Sequence, residues 1–403
     1  MNQWKTYKID QLKSKHKTSI SIGPFGSRMK SDCYVFKGIP VIRGNNISDT
    51  PNFIGSFVFI AEEQSKDFKS SKVYKNDLVF PHRGNIGEVG IVTETQYKEY
   101  IISSSLMKLS CNTDFVSPKF LYYFFKSNQG RKKLLENSSQ VGTPGIATPL
   151  TSLKNIEIRL PLLPEQEQIA DILSCLDAKI ENLRRQNETL EQIAQTLFKH
   201  WFIDFEFPNA DGKPYKSSGG VMFASELGDI PEGWRVGKLG EIALFKNGQS
   251  PPARSEDFNI PIYGSNGIIG KTNVFNYQNI VIIGRVGSYC GSLYYFLDKC
   301  WVTDNAMTGQ IKNGNSQAFL YFVLKVNRLN RLSTGSGQPL LNQAILSSIE
   351  LVLAKQEIIQ RFEITVKPIF EKMLLNNQQI QTLTKIRDSL LPKLMSGQLR
   401  VKE

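Results

Sequence analysis

The chain has 403 residues, of which 40% are hydrophobic, and a formal net charge of +12. This length is enough for two or three cores of ordinary size, so we expect several domains. The first residues are charged and polar, and no run of about 18 apolar residues occurs, which argues against a secretory signal and a membrane span. The five cysteines form no CxxC pair and lie apart from the three histidines, which argues against a disulfide framework and a metal site. We therefore expect a cytoplasmic protein.

The positive charge is concentrated in two segments. Residues 1–155 contain 22 Lys and Arg against 12 Asp and Glu, and residues 230–348 contain 11 against 6. Two basic bodies joined by a less basic remainder indicate two places that hold a polyanion, although a basic surface can also serve solubility alone.

A mixed α/β body is predicted for residues 1–160. Short β-rich segments, at residues 39–47, 53–60, 76–80 and 89–92, are separated by clusters of Gly, Asn, Asp and Ser. One helix is predicted after them, with Ser117 as its N-cap.

A long helix is predicted within residues 161–207. Its apolar residues follow one another at steps of three and four, which is the heptad pattern of a helix that packs lengthwise against another helix. The predicted seam consists of Ile169, Leu173, Leu176, Ile180, Leu183, Asn187, Leu190 and Leu197, and Asn187 is its polar member. Residues 208–230, with Pro208, Gly212 and Pro214, are predicted to be a linker.

The second half repeats the first. WKTYKI at Trp4 returns as WRVGKL at Trp234, and GIPVIRGNNI at Gly38 is echoed by NIPIYGSNGI at Asn259. FLYYFFKSN in the first half likewise returns as FLYFVLKVN. The repeat predicts a second, similar body at residues 231–352.

A second long helix is predicted within residues 353–403. A constant offset of 190 maps the first seam onto Val366, Phe370, Met373, Asn377 and Ile380. Pro368 falls inside this helix, which predicts a bend near Lys367 because proline lacks an N–H and its ring clashes with the preceding turn.

The predicted fold class is α+β, with two similar mixed α/β bodies separated by two long antiparallel helices in an intramolecular coiled coil. Because each helix re-enters its own half in the same way, folding the halves about a pseudo-twofold axis makes the helices antiparallel. A coiled coil between two chains is the alternative, and the heptads alone leave it open.

Catalytic motifs are missing from the sequence. There is no [ND]PP[YF] run for a methyltransferase that flips its target base and no GxGxxG opening a helix. GSNGIIGKT at Gly264 has the wrong spacing for a phosphate loop, and Asp304 and Asn305 are predicted to form a turn. We therefore expect no enzyme activity from the chain alone.

Several segments of the sequence are distinctive: LPLLPEQEQIADILSCLDAKIENL with QTLFKHWFIDFEFP, SLLPKLMSGQL, NDLVFPHRGNIGEVGIV and ELGDIPEGWRVGKLGEI. Through these segments the chain resembles, over nearly its whole length, the DNA specificity subunit of type I restriction-modification systems. The resemblance implies two target-recognition domains that each read half of a split, asymmetric site in double-stranded DNA, and two helices that set the gap between the halves.

The resemblance also implies partners. Two modification subunits that bind S-adenosylmethionine and methylate adenine N6 are expected to dock on the helices, and restriction subunits are expected to add ATP- and Mg-dependent translocation and cleavage. The chain itself is expected to hold no cofactor. A standalone bipartite DNA-binding scaffold or regulatory protein is the alternative, and a nuclease with a concealed carboxylate cluster is a third.

Loop residues that can donate to base edges or phosphates are the candidate DNA contacts. In the first body these are Arg28, Lys30, Arg43, Asn45, Asn46, His82, Arg83 and Asn85. In the second body, by rough position, they are Arg254, Ser265, Asn266, Lys271, Arg285 and Gln338.

Overall fold

A computed structural model describes residues 4–24, 28–93, 97–139, 142–312, 316–334 and 339–401. The chain forms two compact units. Unit 1 comprises residues 1–182 and 379–403, and unit 2 comprises residues 183–378. Each unit contains a mixed α/β body and a segment of each of the two long helices.

The body of unit 1 alternates short strands and helices. Its strands are β1 (Lys5–Lys8), β2 (Ile20–Ile22), β3 (Tyr34–Val35), β4 (Ile39–Ile42), β5 (Val58–Ile60), β6 (Lys72–Tyr74), β7 (Leu78–Pro81), β8 (Gly90–Ile91), β9 (Glu99–Ile102), β10 (Leu106–Leu109), β11 (Ser138–Ser139), β12 (Gly145–Ile146) and β13 (Glu157–Leu160). Its helices are α1 (Ile9–Leu12), α2 (Glu62–Ser65), α3 (Pro118–Lys126), α4 (Asn128–Leu135) and α5 (Pro149–Asn155). The first long helix, α6 (Leu163–Phe202), follows.

Among the described residues, two larger sheets form most of this body, beside the two-stranded pairs β1-β13 and β11-β12. One has the strand order β2-β10-β7-β8 and the other β3-β5-β4-β9-β6, in which β4 and β9 are parallel with Val41 opposite Ile101. Strand β1 pairs with β13, so the start of the body is tied to the strand that leads into α6. Helix α3 buries almost every side chain, including Phe120, Phe124 and Phe125, in the core against the sheet β2-β10-β7-β8.

The helix predicted from Ser117 is two helices. Ser127, between α3 and α4, has extended backbone angles, and its hydroxyl accepts the N–H of Gly130 as the N-cap of α4. Any side chain at position 130 would collide with the carbonyl oxygen of Phe124. The chain turns sharply here because Ser127 satisfies the new helix and Gly130 permits the close approach.

The body of unit 2 has the same plan. Its strands are β14 (Met222–Phe223), β15 (Ile230–Pro231), β16 (Arg235–Lys238), β17 (Ala243–Asn247), β18 (Ile260–Gly264), β19 (Gly267–Thr272), β20 (Tyr277–Gly284), β21 (Leu293–Val302), β22 (Ala306–Ile311) and β23 (Glu350–Leu353). Its helices are α7 (Leu239–Ile242), α8 (Gln317–Val326) and α9 (Gln343–Ser347). The second long helix, α10 (Gln356–Met395), follows.

Strand pairing confirms the internal repeat. Strand β16 pairs with β23 as β1 does with β13, and β18 runs parallel to β21 with Ile262 opposite Trp301. Six strands of unit 2 join in one sheet of order β17-β22-β20-β21-β18-β19, whereas β14-β15 and β16-β23 form separate pairs. The longer β20 and β21 pair with each other. This pairing joins into one sheet the strands whose counterparts in unit 1 belong to two separate sheets.

The segment 208–230 is packed within unit 2. Tyr215 stacks on Phe207 with ring centroids 4.6 Å apart, and Phe207 stacks on Trp234 at 5.1 Å. Strands β14 and β15 form a small hairpin within the segment. This stretch therefore has ordered structure of its own, beyond the linker that its composition suggested.

The long helices pair antiparallel within unit 1. Arg387 of α10 donates to the buried carboxylate of Asp177 of α6 at 2.9 Å, and the Tyr123 hydroxyl of α3 donates to the same carboxylate at 2.7 Å. Arg400, beyond the end of α10, binds Glu165 near the start of α6. Pairing of late residues of α10 with early residues of α6 is the antiparallel arrangement, and the contacts are within one chain.

The helices also pair antiparallel within unit 2. Asn187 lies between two asparagines of α10, where its Nδ2 donates to Asn377 at 2.9 Å and its Oδ1 accepts from Asn376 at 2.8 Å. Further along, Trp201 of α6 meets Phe362 of α10 with ring centroids 5.8 Å apart. The intramolecular pairing predicted from the repeat is confirmed, so the interchain alternative is not needed to cover the seams.

Burial follows the predicted seams with one shift. Ile169, Leu173, Ile180, Leu183, Val366 and Phe370 are buried, and Leu176, Asn187, Leu190, Leu197, Met373 and Ile380 are partly buried. Asn377 is exposed, whereas Asn376 is fully buried. Asn376 therefore occupies the polar interior position of α10, because the apolar face of this helix is rotated relative to a strict copy of α6.

Helix α10 continues without a break through Pro368. Pro368 is exposed, so its ring lies on the outer face of the helix, and the distortion expected near Lys367 does not end the helix. None of the described helices is long and apolar enough to cross a membrane.

Candidate nucleic-acid interface

Three loops of unit 1 meet where strands β4, β7 and β9 end. The N–H of Ser103 donates to the carbonyl of Ile42, and the N–H of His82 donates to the carbonyl of Ser105, both at 2.9 Å. We call residues 43–46, 82–87 and 103–105 loop cluster 1. Because backbone hydrogen bonds hold these loops together, their exposed polar side chains have a fixed geometry relative to one another.

Unit 2 builds the same cluster with the same hydrogen bonds. The N–H of Thr303 donates to the carbonyl of Tyr263 at 2.9 Å, and the N–H of Arg285 donates to the carbonyl of Asn305 at 3.1 Å. We call residues 264–267, 285–291 and 303–305 loop cluster 2. The turn predicted at Asp304 and Asn305 is confirmed, and it forms part of this cluster.

Two glycines fix the correspondence between the clusters. Gly84 donates its N–H to Pro144, and Gly287 donates its N–H to Pro339. Both glycines have positive φ, +80° and +74°, which favours glycine at each position.

The resulting alignment places PHRGN (81–85) on GRVGS (284–288). Arg285 thus corresponds to His82, and the counterpart of Arg83 is Val286. Asn45 corresponds to Asn266 through the echo of GIPVIRGNNI in NIPIYGSNGI.

Asn46 is a structural residue, contrary to its selection as a DNA contact. Its side chain is fully buried, where Oδ1 accepts the N–H of Arg43 at 2.9 Å and Nδ2 donates to the carbonyl of Ile54 at 2.8 Å. An amide that is buried and bonded in this way holds the loop closed and does not reach a base edge.

His82 is also structural. It is 6% exposed, and its Nε2 lies 3.0 Å from the carbonyl oxygen of Ser104. Burial lowers the pKa of the His82 imidazole, which favours the neutral ring with Nε2–H as the donor. Arg285 makes the equivalent bond in unit 2, from its guanidinium to the carbonyl of Asp304 at 3.3 Å. Both side chains brace the same turn.

The side chains of two further candidates form hydrogen bonds within the protein. The Ser265 hydroxyl donates to the carbonyl of Asn305 within loop cluster 2. The Arg43 guanidinium, which is partly exposed, donates to the carbonyl of Ser56 at 3.1 Å. These contacts orient the loops and leave only part of each side chain for a ligand.

The remaining candidates divide by position. Asn45, Arg83 and Asn85 are exposed in loop cluster 1, and Asn266 is exposed in loop cluster 2. Outside the clusters, Arg28, Lys30 and Arg254 are exposed, and the partly exposed Lys271 lies 3.4 Å from Glu256. Gln338 lies outside the described residues.

Several exposed residues of the clusters were missed by the sequence reasoning. They are Ser104 in cluster 1 and Ser288, Tyr289, Asp304 and Asn305 in cluster 2. Aligning PHRGN with GRVGS would have found Ser288, but this pair shares one glycine and gives little signal in the sequence. No group of three His, Cys, Asp or Glu side chains that could hold a metal ion occurs among the described residues.

Comparison with known proteins agrees with this architecture. Residues 1–192 and 231–385 each match the family described as type I restriction modification DNA specificity domain. The chain is 30% identical over 373 residues to the type I restriction enzyme MjaIX specificity subunit of Methanocaldococcus jannaschii, which covers 85% of this chain and 82% of that protein.

Two further proteins are similar along almost the whole chain. The identity to the type I restriction enzyme HindI specificity subunit of Haemophilus influenzae is 26%, over 99% of this chain and 100% of that protein. The crystal structure of the S subunit of a type I restriction-modification system from M. genitalium shares the fold, with a TM-score of 0.60 at 19% identity over 97% of this chain and 96% of that one. Because the family's domain matches both halves, the chain belongs to the type I restriction-modification DNA specificity family.

Proposed function

We propose that this chain is the subunit that directs a type I restriction-modification complex to its DNA, with each unit reading one half of a bipartite, asymmetric site. The observation that carries the proposal is the construction of the same loop cluster twice from matched backbone hydrogen bonds, at Ile42 and Ser103 in unit 1 and at Tyr263 and Thr303 in unit 2. Because both units build the same loop arrangement, each unit can present side chains to one half-site in the same way.

The side chains on the two frames differ, which supports an asymmetric site. Arg83 faces solvent where unit 2 has Val286, and Asn85 corresponds to Ser288. Arginine donates two hydrogen bonds to guanine and asparagine pairs with adenine, whereas valine and serine make other contacts. The excess of Lys and Arg in both bodies supplies affinity for phosphates without sequence preference.

The paired helices are proposed to set the gap between the half-sites and to dock two modification subunits. S-adenosylmethionine is then expected on those partners, and ATP and Mg on restriction subunits, with no cofactor in this chain. The direct bonding of Asn187 to both Asn376 and Asn377 supports a defined helix register, which a fixed gap requires.

Selection from a library of randomised duplexes tests the half-site assignment. The purified full chain should select a bipartite motif, and Arg83→Ala should relax one position of one half at a cost of about 1–3 kcal/mol in discrimination. Arg159→Ala, which removes the same charge from an exposed strand residue, is the matched control and should leave both halves unchanged. Equal effects of the two variants on all sequences would show that Arg83 contacts only phosphate or solvent.

Copurification tests the assembly. The full chain should recover two copies of a modification subunit when the two proteins are expressed together. A chain that binds its bipartite site but recruits no such subunit would instead be a standalone DNA-binding scaffold.

A further inference from the structure

The turn at the tip of loop cluster 2 is one residue longer than its counterpart. Both turns start at a matched glycine, Gly84 or Gly287, and end at a second glycine with positive φ, Gly87 at +86° or Gly291 at +85°. The end glycines correspond because both have positive φ and each follows a buried residue, Ile86 or Cys290. Two residues therefore separate the glycines in unit 1, and three separate them in unit 2.

The additional residue is an exposed aromatic. Ile86 and Cys290, which immediately precede the end glycines, are each 7% exposed and fill the same inner position. Asn85 alone forms the outer face of the first turn, whereas Ser288 and Tyr289 form that of the second. Tyr289 is 56% exposed, so the length difference places a large ring on the solvent side of loop cluster 2.

The turn that carries Tyr289 is held on several sides. The N–H of Cys290 donates to the carbonyl of Gly287 at 2.9 Å, and the Cys290 thiol donates to the carbonyl of Arg285 at 3.2 Å. The carbonyl of Tyr289 itself accepts the N–H of Ser292 at 3.0 Å. A tyrosine on a well-ordered turn offers much contact area while losing the freedom of only two side-chain torsions on binding.

A cationic cavity adjoins the same turn. It has a volume of about 370 Å³, and Gly291, Arg328 and Arg331 are among its lining residues. Arg328 and Arg331 are exposed, whereas the lining residue Lys325 is held by the carboxylate of Glu191 at 2.5 Å. The two arginines therefore supply positive charge that faces solvent next to the turn.

Arg328 also has a strained backbone. Its φ of +45° and ψ of +62° lie in the left-handed region, which is strained for a residue with a side chain. Its counterpart in unit 1 by the match of FLYFVLKVN to FLYYFFKSN is Gln129, which lies inside helix α4. The strain redirects the chain at the cavity, in unit 2 and not at the matched position of unit 1.

We propose that Tyr289 contacts a base in the half-site read by unit 2, and that Arg328 and Arg331 bind the DNA phosphates beside that base. The inference rests on the proposed function and deepens it. The apolar ring suits the methyl group of thymine, and its hydroxyl suits an acceptor on a base edge. The guanidinium groups suit phosphate oxygens, which they can bind with two parallel hydrogen bonds.

Variants of Tyr289 in the full chain test the base contact. Tyr289→Ala should relax one position of the unit 2 half-site and weaken binding to the wild-type sequence by about 5- to 150-fold, which corresponds to about 1–3 kcal/mol. The half-site read by unit 1 should stay unchanged. Tyr289→Phe should retain the preference if the ring makes the contact and lose it if the hydroxyl does, and either result supports contact by Tyr289.

Deletion of residue 289 provides a second test, because it gives the second turn the length of the first. The deletion should relax the same position as Tyr289→Ala. Selection of the wild-type motif with unchanged affinity by both variants would overturn the proposal. Such a result would leave the proposed function intact, since that function fails only if the wild-type chain selects no bipartite motif.

Salt dependence tests the phosphate contacts. Replacing Arg328 and Arg331 together by alanine should weaken binding to all duplexes alike and reduce the slope of log K against log salt by about 1 to 2. Lys216→Ala and Lys213→Ala, combined in one variant that removes two exposed charges from the segment 208–230, is the matched control and should leave the slope unchanged. An unchanged slope in the arginine variant would overturn this part of the proposal.

Discussion

Glu363 and Gln166 show how one residue on each long helix holds a body helix in place. Gln166 of α6 accepts the N–H of Ser117, the N-cap of α3, at 3.0 Å. Glu363 of α10 accepts the N–H of Ala318, in the first turn of α8, at 3.2 Å. The role is the same, but the side chain in unit 2 is ionisable. Burial raises the pKa of Glu363 to about 7, although the backbone N–H groups and Lys367 oppose the rise.

Glu363 predicts a pH-dependent stability. Because its pKa is higher in the folded chain than in the unfolded chain, the folded chain binds more protons between about pH 4.5 and pH 7. Stability is therefore full below this window and declines as the pH rises through it, by at most about 3 kcal/mol. Glu363→Gln should abolish the decline and unfold at a higher temperature than the wild type above pH 7.

Thermal unfolding of both chains from pH 4.5 to pH 8 measures the effect. Glu350→Gln, at an exposed position of β23, serves as the control and should track the wild type. A difference between Glu363→Gln and wild type that stays constant over this range would contradict the assignment.

At the residue scale, the sequence predicted the loops better than the roles of their side chains. PHRGN was correctly placed in a loop, whereas RGNNI was included in the β-rich segment 39–47 and lies beyond the end of β4 at Ile42. Within these stretches, Asn46 and His82 point inward while Asn45 and Arg83 point outward. Adjacent residues of a loop follow no fixed period of inward and outward side chains. Composition therefore does not distinguish a side chain that stabilises the loop from one that is available to contact DNA. Tyr289 was missed for a related reason, because a single aromatic in a glycine-rich turn has no pattern to distinguish it.

At the scale of elements, the helix pair is the part that the sequence predicted best. A heptad pattern over many turns averages out local exceptions, and a matched second copy supplied the partner. The offset of 190 predicted Asn377 at the polar position of the seam, but the buried residue is Asn376. A constant offset assumes that both helices present the same face, and it does not detect a small rotation of α10. The division of α3 from α4 depended on a cap and a close approach at Ser127 and Gly130, which apolar periodicity does not report.

The asparagine cluster predicts a coupled pair of substitutions. Asn187→Leu should destabilise the chain by about 1–3 kcal/mol, because the buried amide of Asn376 loses its acceptor. Adding Asn376→Leu should recover most of the loss, since both polar groups are then replaced by apolar ones of similar size. Urea unfolding of the single and double variants measures the coupling.

Gln186→Leu, at the exposed neighbouring position, is the control and should change stability by less than about 0.5 kcal/mol. Additive losses in the double variant would show that the two asparagines act independently and do not fix the register.

At the scale of the whole molecule, a duplicated chain carries two different surfaces on one repeated frame. The loop clusters share their backbone hydrogen bonds and differ in their exposed side chains. The exposed side chains, and with them the DNA sequence that is read, can therefore change while the backbone arrangement stays the same. Repetition was visible in the sequence at tryptophans and apolar strands because these positions are constrained by the core. The alignment of the turns became clear only from the hydrogen bonds of Gly84 and Gly287.

The proposed role of the helices predicts an altered gap after insertion. One heptad added before Leu190 in α6 and one added after Met373 in α10 should preserve the pairing and lengthen both helices by about 10 Å. The gap tolerated in the selected DNA should then change. Seven residues inserted at the exposed positions 216–219 form the control and should leave the gap as it was. An unaltered gap in the helix variant, with binding retained, would contradict the role of the helices.

The most direct test of the claim that each unit reads one half-site replaces one body by the other. Residues 234–353 are replaced by residues 4–160, since Trp4 and Leu160 occupy the same places beside and within the strand pair β1–β13 as Trp234 and Leu353 do at β16–β23. The exchanged chain, with the unit 1 body in both positions, is then offered the randomised duplexes. The account predicts that it selects an inverted repeat of the half-site that Arg83→Ala relaxes. Selection of an asymmetric site, or of one uninterrupted motif, would contradict it.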